Sequence, residues 1–124
     1  MRAYERFLNY AKVYTTSDET TGTVPSTERQ KVLAGILASE MREMGIADAH
    51  MDDRGYVYGH IPAKDCAAAI RLGFIAHMDT APDFRGENVK PILHENYDGG
   101  EIALQGLTLS PAIFPHLPSL KGRT

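Results

Sequence analysis

The sequence has little cysteine and no long apolar run. Its single cysteine, Cys66, cannot form an internal disulfide and stands in a run of small apolar residues, so we predict a buried, unreactive side chain. No apolar run approaches the length that crosses a membrane, and the N-terminus lacks the apolar core of a secretory signal. We therefore expect no membrane partner, and a reducing cytoplasmic location fits best.

A strong excess of charge of either sign is also absent. Thirteen Lys and Arg against sixteen Asp and Glu give a net charge of -3, without any run of basic residues. Nucleic-acid binding needs a concentrated positive surface, so we expect no nucleic-acid partner. With 124 residues, 43% hydrophobic and 23% charged, the composition predicts one globular domain, residues 1–124, with its own core.

Two helices are predicted in the first third of the chain. Helical spacing defines an apolar face on the first helix, formed by Tyr4, Phe7, Leu8 and Ala11. The second helix is announced by Ser26 and Thr27, with Gln30 placed as in a capping box, and it ends at Gly45. Its predicted apolar face consists of Val32, Leu33, Ile36, Leu37, Met41 and Met44. The hydroxyl-rich stretch 15–23 between the helices predicts a surface loop.

After Gly45 the pattern changes from helices to strands. Predicted segments are a strand end and turn at 50–55, a strand at 56–61, a fully buried strand at 68–76, and a hairpin of 89–95 with 102–104 around 96–100. The tail from Leu109 to Pro118 has three prolines in its last eight residues, which disfavours both regular helix and central strand. Two helices followed mostly by strands predict an α/β fold in which a sheet carries helices on one face.

The segment GFIAHMDTAPD, residues 73–83, places two polar groups where the predicted buried strand ends. His77 and Asp79 are two residues apart, so in extended chain their side chains share a face. The Asp79 carboxylate can then hold one imidazole nitrogen of His77 while the other nitrogen binds a metal ion, as in carboxylate–histidine–zinc arrangements. A surface hydrogen bond at a strand end explains the same spacing, and spacing alone does not decide between them.

Other polar residues have simpler explanations. The remaining histidines fit solvated or core-edge positions: His50, His60, His94 and His116. The carboxylate pairs stand beside turn glycines, where such side chains commonly bond their own backbone: Asp52 with Asp53, and Glu95 with Asp98. Ser110 lacks the context of a nucleophile elbow, and there is no glycine-rich phosphate loop.

Six segments together resemble the peptidase T family, tripeptide aminopeptidases of the zinc aminopeptidase and carboxypeptidase clan. They are ERFLNYAKVYTTSDE, VPSTERQ, GYVYGHIPA, GFIAHMDTAPDF, NVKPILHENYDGG and LSPAIFPHLPSLKG. The resemblance implies the N-terminal part of a three-layer α/β/α catalytic domain with two zinc ions, a cytoplasmic location and short peptides as substrate. On matching positions, it implies that His77 is a zinc ligand and Asp79 the catalytic residue that orients it.

The family's other functional groups have no counterpart among these residues. Its bridging aspartate, its glutamate base, the other carboxylate ligands and the last histidine follow the segment matched by Lys121–Gly122. A catalytic zinc usually needs three protein ligands, so we expect at most a partial site and no activity from these 124 residues alone. We also expect an uncovered sheet edge that self-associates. The alternative hypothesis is a non-catalytic remnant that acts as a binding or subunit-interaction module.

Overall fold

The protein has a mixed α/β structure, as the sequence predicts. The computed structural model describes residues 1–64 and 70–124. Its elements are α1 (Ala3–Tyr10), α2 (Gln30–Glu43), β1 (His50–Met51), β2 (Val57–Tyr58), β3 (Ile102–Leu104), β4 (Leu107–Leu109) and a 3₁₀ helix (Leu117–Leu120). They fall into two compact units, Met1–Lys90 and Pro91–Thr124. The single domain and the three-layer architecture stay predictions.

In the first unit, α2 packs on the hairpin formed by β1 and β2. The buried side chains of α2 and of the segment that leads into β1 are small or medium in size: Leu33, Ala34, Ala38 and Ala49. The predicted apolar face is therefore only partly correct, because Val32, Ile36 and Met44 are exposed. On α2 the two alanines one turn apart, Ala34 and Ala38, are buried, whereas several of the larger apolar side chains beside them stay exposed.

Helix α1 forms where the sequence predicts it, but its apolar face is only half covered. Tyr4, Leu8 and Ala11 are half-buried, whereas Phe7 is 65% exposed. Polar contacts instead connect α1 to α2, because Arg6 and Tyr10 both donate hydrogen bonds to the Glu40 carboxylate. The prediction of a helix is confirmed, and the prediction that Phe7 is buried is wrong.

Of the two predicted end signals of α2, only the glycine at its C-terminal end is confirmed. The helix begins at Gln30, three residues after Thr27, and the Gln30 side-chain amide donates to the hydroxyls of Ser26 and Thr27 at 3.0 and 3.1 Å. The predicted capping box is therefore wrong, because Arg29 is the N-cap, no side chain caps the helix, and the Thr27 hydroxyl donates to the Thr16 carbonyl instead. At the other end, Gly45 adopts a φ of +93°, a left-handed conformation that stops a helix, as predicted.

The β1–β2 hairpin is short and its turn is the one that the sequence predicts. His50 pairs with Tyr58 and Met51 with Val57 in antiparallel register. The Asp52 carboxylate accepts hydrogen bonds from the backbone N–H groups of Arg54 at 3.0 Å and Tyr56 at 2.9 Å. The carboxylate therefore stabilises its own turn, which confirms its predicted structural role.

The predicted buried strand at 68–76 is wrong where the structure describes it. Residues 65–69, which include Cys66, lie outside the described residues. From residue 70 onward the segment has no strand and is exposed: Ile70 is 80% exposed, Phe74 93% and Ile75 101%. A strand exists only when a neighbouring strand satisfies its backbone, and no strand of the described residues pairs with this segment.

The second unit contains a hairpin, but its two strands are not the pair that the sequence predicts. β3 pairs with β4 rather than with residues 89–95, because the chain turns at Gln105 and Gly106, where Gly106 adopts a φ of +77°. The predicted turn at 96–100 instead packs on the tail: Tyr97 N–H donates to the Arg123 carbonyl at 2.9 Å, and Gly122 N–H donates to the Tyr97 carbonyl at 2.7 Å.

The tail follows the prediction made from its prolines. Beyond Leu109, the last residue of β4, it contains only turns and the short 3₁₀ helix, in which Leu117 is buried. Nowhere in the described ranges is there a helix of the length and apolarity that crossing a membrane requires.

Candidate metal centre at His77 and Asp79

The segment that carries His77 and Asp79 is fixed to the first unit through the next residue, Thr80. Thr80 and Thr16 form an isolated parallel β-bridge. The Ser17 N–H donates to the Thr80 carbonyl at 3.0 Å, and the Thr80 N–H donates to the Thr15 carbonyl at 3.4 Å. His77 and Asp79 therefore precede a residue, Thr80, whose backbone N–H and carbonyl are both hydrogen-bonded to residues 15–17.

The His77 ring contacts Asp79 through a single nitrogen. Nδ1 lies 3.0 Å from the Asp79 carbonyl oxygen and 3.2 Å from its Oδ1. A carbonyl oxygen and an ionised carboxylate only accept hydrogen bonds, so Nδ1 carries the proton when the ring is neutral. Nε2 then keeps its lone pair. The distance from Nδ1 to Oδ1 confirms the predicted contact between the carboxylate and one imidazole nitrogen.

Both side chains are open to solvent to a degree that leaves room for a ligand. The His77 side chain is 86% exposed and that of Asp79 38%. The pair is therefore not sealed in packed hydrocarbon, and Nε2 is accessible to an ion. The roles of His77 as a metal ligand and of Asp79 as its orienting residue stay predictions.

The chemistry of this pair fits one ligand of a zinc centre. Neutral imidazole is a common zinc ligand, and a carboxylate on the other ring nitrogen fixes the tautomer and raises the basicity of the ligating atom. Within residues 1–64 and 70–124, no three His, Cys, Asp or Glu side chains are grouped so that they could hold an ion. His77 therefore fits a first ligand, and a complete centre requires donors beyond those described.

The residues beneath the bridge were missed by the sequence patterns. Thr15 and Thr16 are only 3% and 6% exposed, so the prediction of a surface loop is wrong at its first two positions. The Thr16 carbonyl accepts hydrogen bonds from the Thr27 hydroxyl at 3.0 Å and from Arg29 Nε at 2.8 Å. The aromatic and β-branched run at 13–16 was the available signal for extended chain here.

Arg29 joins this buried segment to the start of α2. Its guanidinium carbon lies 4.1 Å above the centre of the Tyr14 ring, within cation–π distance, while its Nε binds the Thr16 carbonyl. The backbone that supports Thr80 is therefore itself fixed from α2.

The other predicted residues lie outside this site. All four remaining histidines are exposed, as expected for solvated side chains. His50 stacks on Tyr58 with ring centres 5.5 Å apart. In the second unit, Glu95 and Asp98 line an open cavity of about 380 Å³, and Asp98 accepts the Gly100 N–H at 2.7 Å, which confirms its role in a turn.

Comparison with known proteins places the chain among homologues of peptidases. It is 49% identical to peptidase T of Clostridium perfringens strain ATCC 13124 over 99% of its length. It is 49% identical to peptidase T of Geobacillus kaustophilus and 50% identical to that of Desulfitobacterium hafniense strain Y51, each over 97% of its length. No protein-family model matches the chain.

These matches confirm the resemblance that the motifs indicate. Almost the whole chain aligns with part of each of these peptidase T sequences. It spans about 30% of the length of these curated relatives.

Proposed function

We propose that this chain is the N-terminal portion of a peptidase T-like metalloaminopeptidase. The complete enzyme would hydrolyse the N-terminal residue from short peptides, chiefly tripeptides, and would use two zinc ions. The observation that supports this most is the similarity to peptidase T across 97–99% of the chain, which includes the His77 and Asp79 pair. A cytoplasmic location is part of the same proposal and agrees with a sequence that holds one cysteine.

Each residue of the pair has one task in this proposal. His77 binds zinc through Nε2, and Asp79 accepts the hydrogen bond from Nδ1, which keeps the ring in the tautomer that can bind. When bound, zinc would supply Lewis acidity toward the peptide carbonyl and lower the pKa of a bound water. The exposed ring leaves space for the further ligands and for substrate.

Hydrolysis of a tripeptide by the protein in its longest natural form tests the proposal. We expect activity that a chelator removes, that His77→Ala abolishes, and that Asp79→Asn lowers by roughly 10- to 100-fold, the usual effect of losing the partner of a zinc-bound histidine. His94→Ala is the matched control, because it removes another exposed imidazole, and it should retain full activity. Unchanged hydrolysis in His77→Ala would refute the assignment.

The 124 residues alone should not hydrolyse the peptide. They provide one imidazole with its carboxylate, whereas a catalytic zinc usually has three protein ligands. A calorimetric zinc titration should therefore show binding no tighter than that of an isolated surface histidine. Micromolar affinity that His77→Ala removes would contradict a partial site and would indicate completion by a second copy.

A second candidate function, a module for subunit interaction, is favoured by one observation. The segment from Ile70 to Ile75 exposes large apolar side chains, and such a surface commonly marks an interface. We propose that this segment mediates self-association. Sedimentation should then show oligomers that Phe74→Ser reduces, while Phe7→Ser, which changes an exposed phenylalanine on α1, has no effect. Identical sedimentation of both variants would refute it.

A further inference from the structure

We propose that Thr16 is a positioning residue for the candidate metal ligand His77, and that it acts through its contact with Thr80. We name the contact between the Thr16 and Thr80 side chains the threonine bridge. This inference rests on the proposed function, because it concerns how the same site is held. The two threonines are 64 residues apart in sequence, and their Oγ1 atoms lie 2.9 Å apart.

The bridge reaches His77 through one peptide group. The Asp79–Thr80 peptide is planar, so its carbonyl and its N–H point in opposite directions and turn together. Its N–H donates to the Thr15 carbonyl at 3.4 Å, and its carbonyl oxygen lies 3.0 Å from His77 Nδ1. Fixing Thr80 against residues 15 and 16 therefore fixes one of the two acceptors that select the tautomer of His77, the other being the Asp79 carboxylate.

Thr80 is held from several directions besides this N–H. Its hydroxyl forms a hydrogen bond with the Thr16 hydroxyl. Its carbonyl accepts hydrogen bonds from both the Ser17 N–H at 3.0 Å and the Ser17 hydroxyl at 3.1 Å. Thr16 is a firm support, because it is 6% exposed and its carbonyl binds Thr27 and Arg29. The Thr16 hydroxyl is thus the buried one of two side-chain links, with the Ser17 hydroxyl, between a fixed segment and an exposed one.

The chain that follows the metal-binding segment closes over the bridge at Gly86. A β-carbon at Gly86 would overlap Thr16 Oγ1 and would lie 2.9 Å from Thr80 Oγ1. The absence of a side chain there lets the backbone cover both hydroxyls. Gly86→Ala therefore disturbs the threonine bridge while both threonines stay in the sequence, so it is a second and independent variant.

The experiment compares Thr16→Val, Thr16→Ser and a control in the longest natural form of the enzyme. Valine keeps the shape and removes the hydroxyl, serine keeps the hydroxyl, and Thr108→Val makes the same change on an exposed position of β4. For Thr16→Val we expect kcat to fall by up to about tenfold with KM unchanged, the low end of the loss caused by removing a direct partner of a zinc-bound histidine, because Thr16 acts through Thr80. Thr16→Ser should recover most of the loss, and Thr108→Val should match the wild type.

A second readout needs neither zinc nor substrate. Nitrogen chemical shifts of the metal-free His77 ring, taken where imidazole is neutral, should show the Nδ1–H tautomer in the wild type and in Thr16→Ser. In Thr16→Val the population should shift toward the Nε2–H tautomer that free imidazole side chains also adopt. A loss of stability alone would not change the tautomer of a folded protein, so this measurement separates positioning from a structural role.

The outcomes separate this inference from the proposed function. If His77→Ala leaves hydrolysis intact, the proposed function fails and the positioning role fails with it. If His77→Ala abolishes hydrolysis but Thr16→Val equals Thr108→Val in kcat and tautomer, the positioning role alone is refuted. Should Thr16→Val not fold, Gly86→Ala decides: a fall in kcat relative to the control Gly35→Ala supports the role, and an unchanged kcat overturns it.

Discussion

Tyr10→Phe tests the polar contact that connects the two helices of the first unit. The substitution removes only the hydroxyl that donates to the Glu40 carboxylate, and Arg6 still binds the same carboxylate. α1 has no fully buried side chain, so apolar burial contributes little to holding it on α2. We therefore expect this hydroxyl to matter more than a surface hydrogen bond usually does.

The expected loss follows from the partner's charge and burial. Hydrogen bonds to charged groups contribute roughly 1.5–3 kcal/mol to stability, and the Glu40 side chain is only 19% exposed. Residual solvent access places Tyr10→Phe near the low end, at about 1.5 kcal/mol. For a unit of this size 1 kcal/mol lowers Tm by about 4–8 °C, so the expected fall is roughly 6–12 °C.

The same contact predicts a dependence on alkaline pH. Burial first, and then the hydrogen bond to Glu40, raise the pKa of Tyr10 above its ordinary value. A pKa raised by folding gives stabilisation that is complete below the unfolded value, about 10 for tyrosine, and is lost as pH rises through the folded value. Burial also raises the pKa of Tyr97 in the second unit, so measurements in a Tyr97→Phe background isolate the part due to Tyr10.

Urea unfolding followed by circular dichroism measures both effects. Tyr56→Phe is the control, because it removes a hydroxyl from a tyrosine that is 52% exposed, and it should change the free energy of unfolding by less than about 0.5 kcal/mol. If Tyr10→Phe costs no more than this control, or if the stability lost above pH 10 is unchanged in it, the assigned role of the Glu40 contact is wrong.

Three further substitutions test the core and the turns, each by urea unfolding. Ala34→Leu enlarges the side chain at a fully buried position of α2 and should cost about 1–3 kcal/mol; no cost would show that the surroundings of Ala34 are not closely packed. Asp52→Ala removes the acceptor of two backbone N–H groups and should cost about 1 kcal/mol, whereas Asp53→Ala beside it should cost less. Leu117→Ala should destabilise the second unit by about 2–5 kcal/mol, and a neutral effect would show that the unit has no core at this residue.

The features that the sequence predicted well depend on nearby residues. The two helices, the end of α2 at Gly45 and the turns of Asp52 and Asp98 all follow from spacings of a few residues. Helix termination at glycine, turn formation and amphipathic spacing act over that same range, so their signals are complete within short windows.

The features that failed depend on partners far along the chain. An apolar run predicts a buried strand only if other strands cover it, and for residues 70–76 no described strand does so. Burial of Thr15 and Thr16 arises from contacts to Thr80, Thr27 and Arg29, which composition does not reveal. The hairpin was assigned to the wrong strands because glycines mark two turns in the sequence, one at Gly99 and one at Gly106. Both glycines do adopt positive φ, but only the turn at Gly106 joins two paired strands.

The same difference between short-range and long-range contacts applies to the candidate site. The contact of His77 with Asp79 spans two residues, so it forms although the strand predicted before it does not. Its attachment through Thr80 joins residues 64 apart, by backbone hydrogen bonds and by a contact with the buried Thr16 hydroxyl that no motif signals. A complete zinc centre depends on donors more distant still, because three ligands that approach one ion must be carried by separate elements. The contact between the candidate ligand and its carboxylate was therefore readable in the sequence, whereas the contacts that support the segment had to be found in the fold.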